Sequence, residues 1–144
     1  MKEESKWLNI ILVGSNPIPC YVQAAYLMDE ASRSEKEQNG LFVPTSHLLV
    51  YTKETEVYKE ALMAAMKSKF ESCKVEAVCL QDSKAGRGGA VSQYRVEKSI
   101  KEILNKEKPK GVILNHTGGT KVMTTYATVA MREWCRKNQK KGVE

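Results

Sequence analysis

Residues 111–123 read Gly-Val-Ile-Leu-Asn-His-Thr-Gly-Gly-Thr-Lys-Val-Met. Val112 to Leu114 form a short apolar run, too brief for a helix and bounded by Gly111 and Asn115, which is the signature of a strand buried on both faces. From Thr120 the apolar residues Val122, Met123, Tyr126, Val129, Ala130 and Trp134 recur at helical spacing, which predicts a helix over 120–141 with those side chains turned inward. Two glycines and three hydroxyl or amide side chains therefore stand where a buried strand turns into a helix.

The same alternation runs through the chain. Trp7–Val13 (WLNIILV), His47–Thr52 (HLLVYT) and Lys74–Leu80 (KVEAVCL) read as strands. Tyr21–Arg33, Glu54–Glu71 and Val91–Asn105 read as helices, with apolar stripes at Tyr21, Ala24, Ala25 and Met28, at Tyr58, Leu62, Ala65 and Met66, and at Val96, Ile100, Ile103 and Leu104. Residues 34–46, with Gly40 and Pro44, and residues 81–90 (QDSKAGRGGA) read as loops. Pro109 closes the third helix and Gly142 fits a stop for the fourth. Strand and helix alternate four times. This predicts an α/β, Rossmann-like fold: a mainly parallel sheet with helices on both faces, built from alternating βα units with right-handed crossovers.

A chain of 144 residues is sized for one domain, read over residues 1–144. Gly142-Val143-Glu144 look like the opening of a further strand, so continuation into more strands or an effector domain is expected. The four cysteines show no CxxC pairing and no histidine cluster, and neither a signal peptide nor a run of eighteen apolar residues occurs. A reduced, cytoplasmic protein with no metal site is expected. The net charge of +6 and pI near 9.1 favour an anionic partner, although much of the excess lies in runs such as residues 136–141 that solvent alone explains.

In an open parallel sheet the ligand crevice lies beyond the carboxyl ends of the strands, where strand order reverses. With the first strand central, that crevice is flanked by Gly14-Ser15-Asn16-Pro17 and by residues 115–121. Gly118 and Gly119 permit close backbone approach, the first amides of the fourth helix favour an anion, Ser15, Thr117 and Thr120 add donors, and Lys121 adds charge. A strand-to-helix turn often holds Gly for steric reasons and Thr as a cap, so either loop alone is compatible with a purely structural turn. Two polar loops at one crevice point to a ligand. Neither GxxxxGK[ST] nor GxGxxG is present, which speaks against a Walker ATPase and a dinucleotide enzyme.

The segment Asn115-His116-Thr117-Gly118-Gly119-Thr120-Lys121-Val122-Met123, together with Gly14-Ser15-Asn16-Pro17 after the first strand, resembles the sensor domain of CRISPR-associated Rossmann-fold (CARF) proteins, typified by N-x-T-G-G-T-K-x-M after the fourth strand. The resemblance covers almost the whole chain in element order. It implies a homodimeric receptor for cyclic oligoadenylates in type III CRISPR antiviral defence, with an allosterically controlled effector, fused or associated, and no cofactor beyond that ligand. It implies ligand contacts from Gly14, Ser15, Asn16, Pro17, Asn115, Thr117, Gly118, Gly119, Thr120 and Lys121. The cyclic tetra-adenylate is favoured over the hexa-adenylate. Asn16, Ile18, Tyr21 and the Gln81–Ala90 loop are candidates for walls around adenine, set against core packing for Tyr21 and simple solvation for Arg87.

Three function classes follow. The leading one is a binding sensor. The alternative is a ring nuclease acting without metal through attack of a ribose 2′-hydroxyl, for which Lys121, Thr117 and Ser15 supply donors. No general base accompanies them, His47 being placed at the wrong edge of the sheet, so catalytic residues stay unassigned. Binding of duplex DNA is disfavoured, because the basic residues are spread over several helices with no helix-turn-helix or basic-region pattern.

Overall fold

The structure is a computed structural model that describes residues 6–29, 31, 33–40, 43–71, 73–80 and 93–144. Its strands are β1 (Trp7–Leu12), β2 (Ser46–Tyr51), β3 (Lys74–Cys79), β4 (Gly111–Asn115) and β5 (Lys141–Val143). Its α-helices are α1 (Ile18–Met28), α2 (Arg33–Gln38), α3 (Glu56–Lys69), α4 (Gln93–Glu107) and α5 (Lys121–Lys137), with a 3-10 turn at Lys53–Thr55 leading into α3. The five strands form one sheet in the order β3-β2-β1-β4-β5, every pair parallel.

Every residue of β1 and of β4 is buried, as continuous apolar runs require when helices cover both faces. One face carries Ile11, Val13, Leu49 and Val75 against Cys20 and Ala24 of α1 and Leu62 and Met66 of α3. The other carries Leu8, Ile10, Leu12, Leu48, Val112 and Leu114 against Val96, Ile100 and Leu104 of α4 and Met123, Ala127, Ala130 and Met131 of α5. The predicted Rossmann-like arrangement is the observed one. After β3 the chain crosses back over β1 and β2 to lay β4 on the far side of β1, so strand order reverses between β1 and β4.

Three local expectations are corrected. The first helix runs over Ile18–Met28 rather than 21–33, and a second short helix, α2, occupies part of the stretch read as a loop. The two are joined by Lys36 of α2, fully buried, whose ammonium donates to the carbonyls of Tyr26 (2.6 Å), Leu27 (3.0 Å) and Asp29 (2.6 Å) and so satisfies carbonyls left open at the end of α1. The helix expected over 120–141 ends at Lys137, with Asn138 as its cap and Gln139 at positive φ. Gly142 lies inside β5 beside β4 rather than at a helix stop, so residues 141–143 do form the further strand. Val122 and Val129, expected inward, are 48% and 39% exposed, because the buried stripe of α5 follows Met123, Ala127, Ala130, Met131 and Trp134. The loop over 81–90 lies outside the described residues.

A polar chain is buried beneath α1. Asn9 and Gln23 exchange two amide hydrogen bonds of 3.0 Å, and the second Asn9 Nδ2 hydrogen faces His47 Nδ1 at 3.0 Å. His47 Nδ1 must therefore accept, which places the imidazole proton on Nε2, an atom with no partner among the described residues. Burial pushes the His47 imidazole down to about 4. The unfolded chain, with its ordinary value near 6.5, binds a proton that the folded chain refuses over this window. Stability is fully present above about pH 6.5, falls as pH drops toward 4, and loses no more from this group below that, a total of up to ~3 kcal/mol. Urea unfolding at pH 7 and pH 4.5 should show this loss in the wild type. In His47→Gln, which keeps an acceptor for Asn9 without a titrating group, the pH dependence should be shallower by that amount.

Candidate functional site

The loops after β1 and β4 meet at the reversal of strand order. Gly14 is buried at the end of β1, and a Cβ placed on it would collide with the carbonyl oxygen of Gly118. A Cβ on Gly118 would in turn stand 2.6 Å from Gly14 N and 2.7 Å from Leu12 O. Two backbones lie against each other here with no room for a side chain on either, which is why glycine is required at both. At Gly119 a Cβ would meet side chains rather than backbone: Leu12 Cδ1 at 2.8 Å, Leu12 Cβ at 3.0 Å and Thr124 Oγ1 at 3.2 Å.

From this contact the loops open outward. Asn16 Oδ1 accepts from Ile18 N at 3.2 Å, Pro17 caps α1 with its carbonyl taken by Tyr21 N at 3.0 Å, and the Ser15 and Asn16 side chains are exposed. In the second loop Asn115 Oδ1 accepts from Thr117 N at 3.0 Å and Gly119 N closes a turn to His116 O at 3.4 Å. Thr120 is the N-cap of α5, its hydroxyl oxygen accepting from Met123 N at 3.2 Å. That cap uses the third amide of the helix, leaving those of Lys121 and Val122 without an intrahelical acceptor, at the positive end of a 17-residue helix. Neither loop contains a carboxylate, and Lys121, exposed, brings a positive charge to the same end. The arrangement suits an anion held by backbone amides, hydroxyls and one ammonium.

All ten residues expected at a ligand lie in these two loops, which the sheet brings together; they divide by exposure. Ser15, Asn16, Thr117, Thr120 and Lys121 are exposed, Pro17, Gly118 and Gly119 half-buried, Gly14 and Asn115 buried. Asn115 is 5% exposed, and because its oxygen is committed to Thr117, its Nδ2 is a donor with no partner among the described residues. Beside it, a cleft of about 340 Å³ between α1 and β4 is lined by Gln23, Tyr26, Ile113, Asn115, His116 and Thr117. Sequence reasoning did not find this cleft, since its walls are 90 residues apart in the chain. Of the proposed adenine walls, Ile18 is 67% exposed beside the first loop, whereas Tyr21 is stacked on Phe70 with ring centroids 6.2 Å apart and belongs to the core. His47 is buried among Asn9 and Phe70, away from both loops. Among the described residues no three His, Cys, Asp or Glu side chains are grouped to hold a metal, and no helix is long and apolar enough to cross a membrane.

The fold and these loops define a parallel α/β domain with two polar loops meeting at its switch point. No protein-family model and no curated protein sequence matches the chain. Among solved structures it is similar to Can2 from Sulfobacillus thermosulfidooxidans in complex with cyclic tetra-adenylate, at a TM-score of 0.59 and 17% identity over 88% of this chain. The match spans 28% of that longer chain, and at this identity the likeness is one of fold.

The glycine contact makes a graded prediction. Gly14→Ala and Gly118→Ala each force one backbone off the other and should cost about 1–3 kcal/mol, while Gly119→Ala, opposed by the Leu12 side chain and the Thr124 hydroxyl rather than by backbone, should cost less. Thermal melts of the three variants check the order.

Proposed function

We propose that this domain is a CARF-type sensor that binds a cyclic oligoadenylate, with the tetra-adenylate favoured, in the crevice formed by Gly14–Pro17 and Asn115–Lys121. The observation that carries the reading is the glycine-to-glycine apposition that sets two polar, carboxylate-free loops and a helix N-terminus side by side at the switch point. The shared fold with Can2, whose structure holds cyclic tetra-adenylate, supports the choice of ligand. The motif resemblance of residues 115–123 supports it independently.

A ring of four adenylates can adopt two-fold symmetry, and a two-fold pair of chains presents each loop twice around it. The amides of Lys121 and Val122 and the hydroxyls of Ser15, Thr117 and Thr120 would meet phosphate oxygens. The Lys121 ammonium would add a charge-assisted contact, and the net charge of +6 would draw the ring in. Binding then controls an effector, fused or associated, in type III CRISPR defence. The loops contain no carboxylate base and a single imidazole, His116, so the ring is expected to be held rather than cut.

Calorimetry with cyclic tetra-adenylate should give one ring per two chains, and the ring recovered by chromatography should be intact. No heat with either the tetra- or the hexa-adenylate, or one ring per chain, defeats the proposal. Conversion to a linear product with a 2′,3′-cyclic phosphate would make the domain a ring nuclease instead. Lys121→Ala should weaken binding roughly ten- to a hundred-fold with an unchanged melting temperature, since a lysine in the first helical turn opposes the helix dipole and is not placed there for stability. Affinities of wild type and variant within a factor of two would remove Lys121 from the site.

A further inference from the structure

Lysine is gathered at the edge of the sheet opposite the two loops. Lys6, Lys110 and Lys140 each stand one residue before Trp7, Gly111 and Lys141, which lie in register across β1, β4 and β5, and the Lys110 amide donates to the Lys6 carbonyl at 2.7 Å. Neighbouring strands are about 4.8 Å apart, so the starts of these three strands form a cationic row about 10 Å long. Helices that return from the carboxyl ends of parallel strands finish at this same edge. Helices α4 and α5, packed side by side on one face of the sheet, bring Lys106, Lys108, Arg136 and Lys137 to it. All of these cationic residues, with Lys141, are exposed. Along the chain they are spread over separate segments, which speaks against a nucleic-acid surface; the strand order makes them one surface.

The carboxylates on these elements are engaged elsewhere: Glu107 with Lys74 (3.6 Å), Glu133 with Lys101 (2.9 Å), Glu102 with Lys98 (3.9 Å) and Glu144 with Arg132. Among the described residues none of the edge cations is ion-paired. The carbonyl ends of α4 and α5 attract cations in their last turns, which accounts for Lys106, Arg136 and Lys137. It does not account for Lys6, Lys110, Lys140 and Lys141, which lie outside any helix. Nor does it account for Lys108, whose φ of 46° puts it in the left-handed region just past α4, where glycine is the usual residue. Like charges crowded together repel one another, so this edge is built for an anionic partner rather than for stability. We propose that it binds the phosphate backbone of a nucleic-acid duplex, without regard to base sequence. A surface of cations favours the polyanion with the densest charge: a duplex carries one charge per about 1.7 Å, an extended acidic polypeptide one per about 3.3–3.6 Å at most. A single strand is held largely by bases stacked on aromatic side chains. Of the rings on these elements, Trp7 and Trp134 are buried, Tyr126 is packed on the core and Tyr94 lies at the far end of α4.

Fluorescence anisotropy of a labelled DNA duplex of about 20 base pairs and arbitrary sequence, titrated with the full chain at about 50 to 200 mM salt, tests the edge. Wild type should bind at the low end, with the logarithm of the affinity falling linearly with the logarithm of the salt concentration. Lys110→Gln with Lys140→Gln, both outside helices, should weaken binding roughly tenfold at low salt and flatten that slope by about two. Lys53→Gln with Lys98→Gln, exposed positions away from this edge, makes the same change in net charge and should leave the affinity within about threefold of wild type. Lys108→Gly should flatten the slope by about one yet melt no lower than wild type, because glycine suits a left-handed backbone. The proposal is overturned by no binding at low salt, by equal losses in the edge and control pairs, or by an unchanged slope in Lys108→Gly. It is overturned too if a single strand or polyglutamate binds as tightly as the duplex, polyglutamate assigning the edge to an acidic protein segment instead. The assay contains no cyclic tetra-adenylate, and the loops after β1 and β4 lie at the other end of the strands. Ring binding without duplex binding removes this surface and leaves the ligand reading; duplex binding without ring binding does the reverse.

Discussion

The approach of Gly14 to Gly118 is the constraint on which the site depends. The backbone of one loop fills the space that any side chain on the other would need, so the ends of β1 and β4 are held in a fixed relation. That relation decides where α1 and α5 begin. Ser15 and Asn16 on one side, and the opened amides and Thr120 hydroxyl of α5 on the other, are then arranged around a single crevice rather than scattered along two strand ends. Buried apolar strands provide the stiffness for this: β1 and β4 are packed on both faces, β4 through Val112 and Leu114 on one and through Ile113 against Trp7 and Leu27 on the other, so displacement of either strand would disturb packing on both sides of the sheet.

Helix α1 ties the crevice to the rest of the molecule in three ways. Its first turn extends the Gly14–Pro17 loop, its middle is fastened through Gln23 to Asn9 and thence to His47, and its last turn is closed by the Lys36 ammonium. Buried polar groups of this kind are expensive unless satisfied, and here the Asn9–Gln23 pair is satisfied reciprocally. An apolar helix could slide along an apolar sheet; one hydrogen-bonded at its middle and capped at its end has a single register. The row of Ile18, Val22 and Tyr26 is thereby presented in a defined orientation relative to the loops after β1 and β4.

Much of this was legible in the amino-acid sequence. The continuous apolar runs of β1 and β4 can be buried only between two layers of helices, and the alternation with helix-period segments leaves a parallel sheet as the simple solution. The polar loops after β1 and β4 were visible as breaks in those runs, and Gly-Gly-Thr before a helical stripe marks a helix start from local chemistry alone. Strand propensity, caps and periodicity depend on neighbours within a few residues, and those neighbours are written in order along the chain.

What the tertiary structure alone decided are the contacts between distant residues. No local pattern states that Gly14 and Gly118 touch, that the Asn115 amide, without a partner among the described residues, lies beside a cleft walled by Gln23 and Tyr26, or that Asn9 finds His47. The open carbonyls at the end of α1 are met by a lysine eight residues beyond it, and the fate of Gly142 depended on a β4 edge that could accept another strand. In each case the deciding partner is fixed by the strand order β3-β2-β1-β4-β5, which follows from how the layers pack and has no signature in any short stretch of the chain.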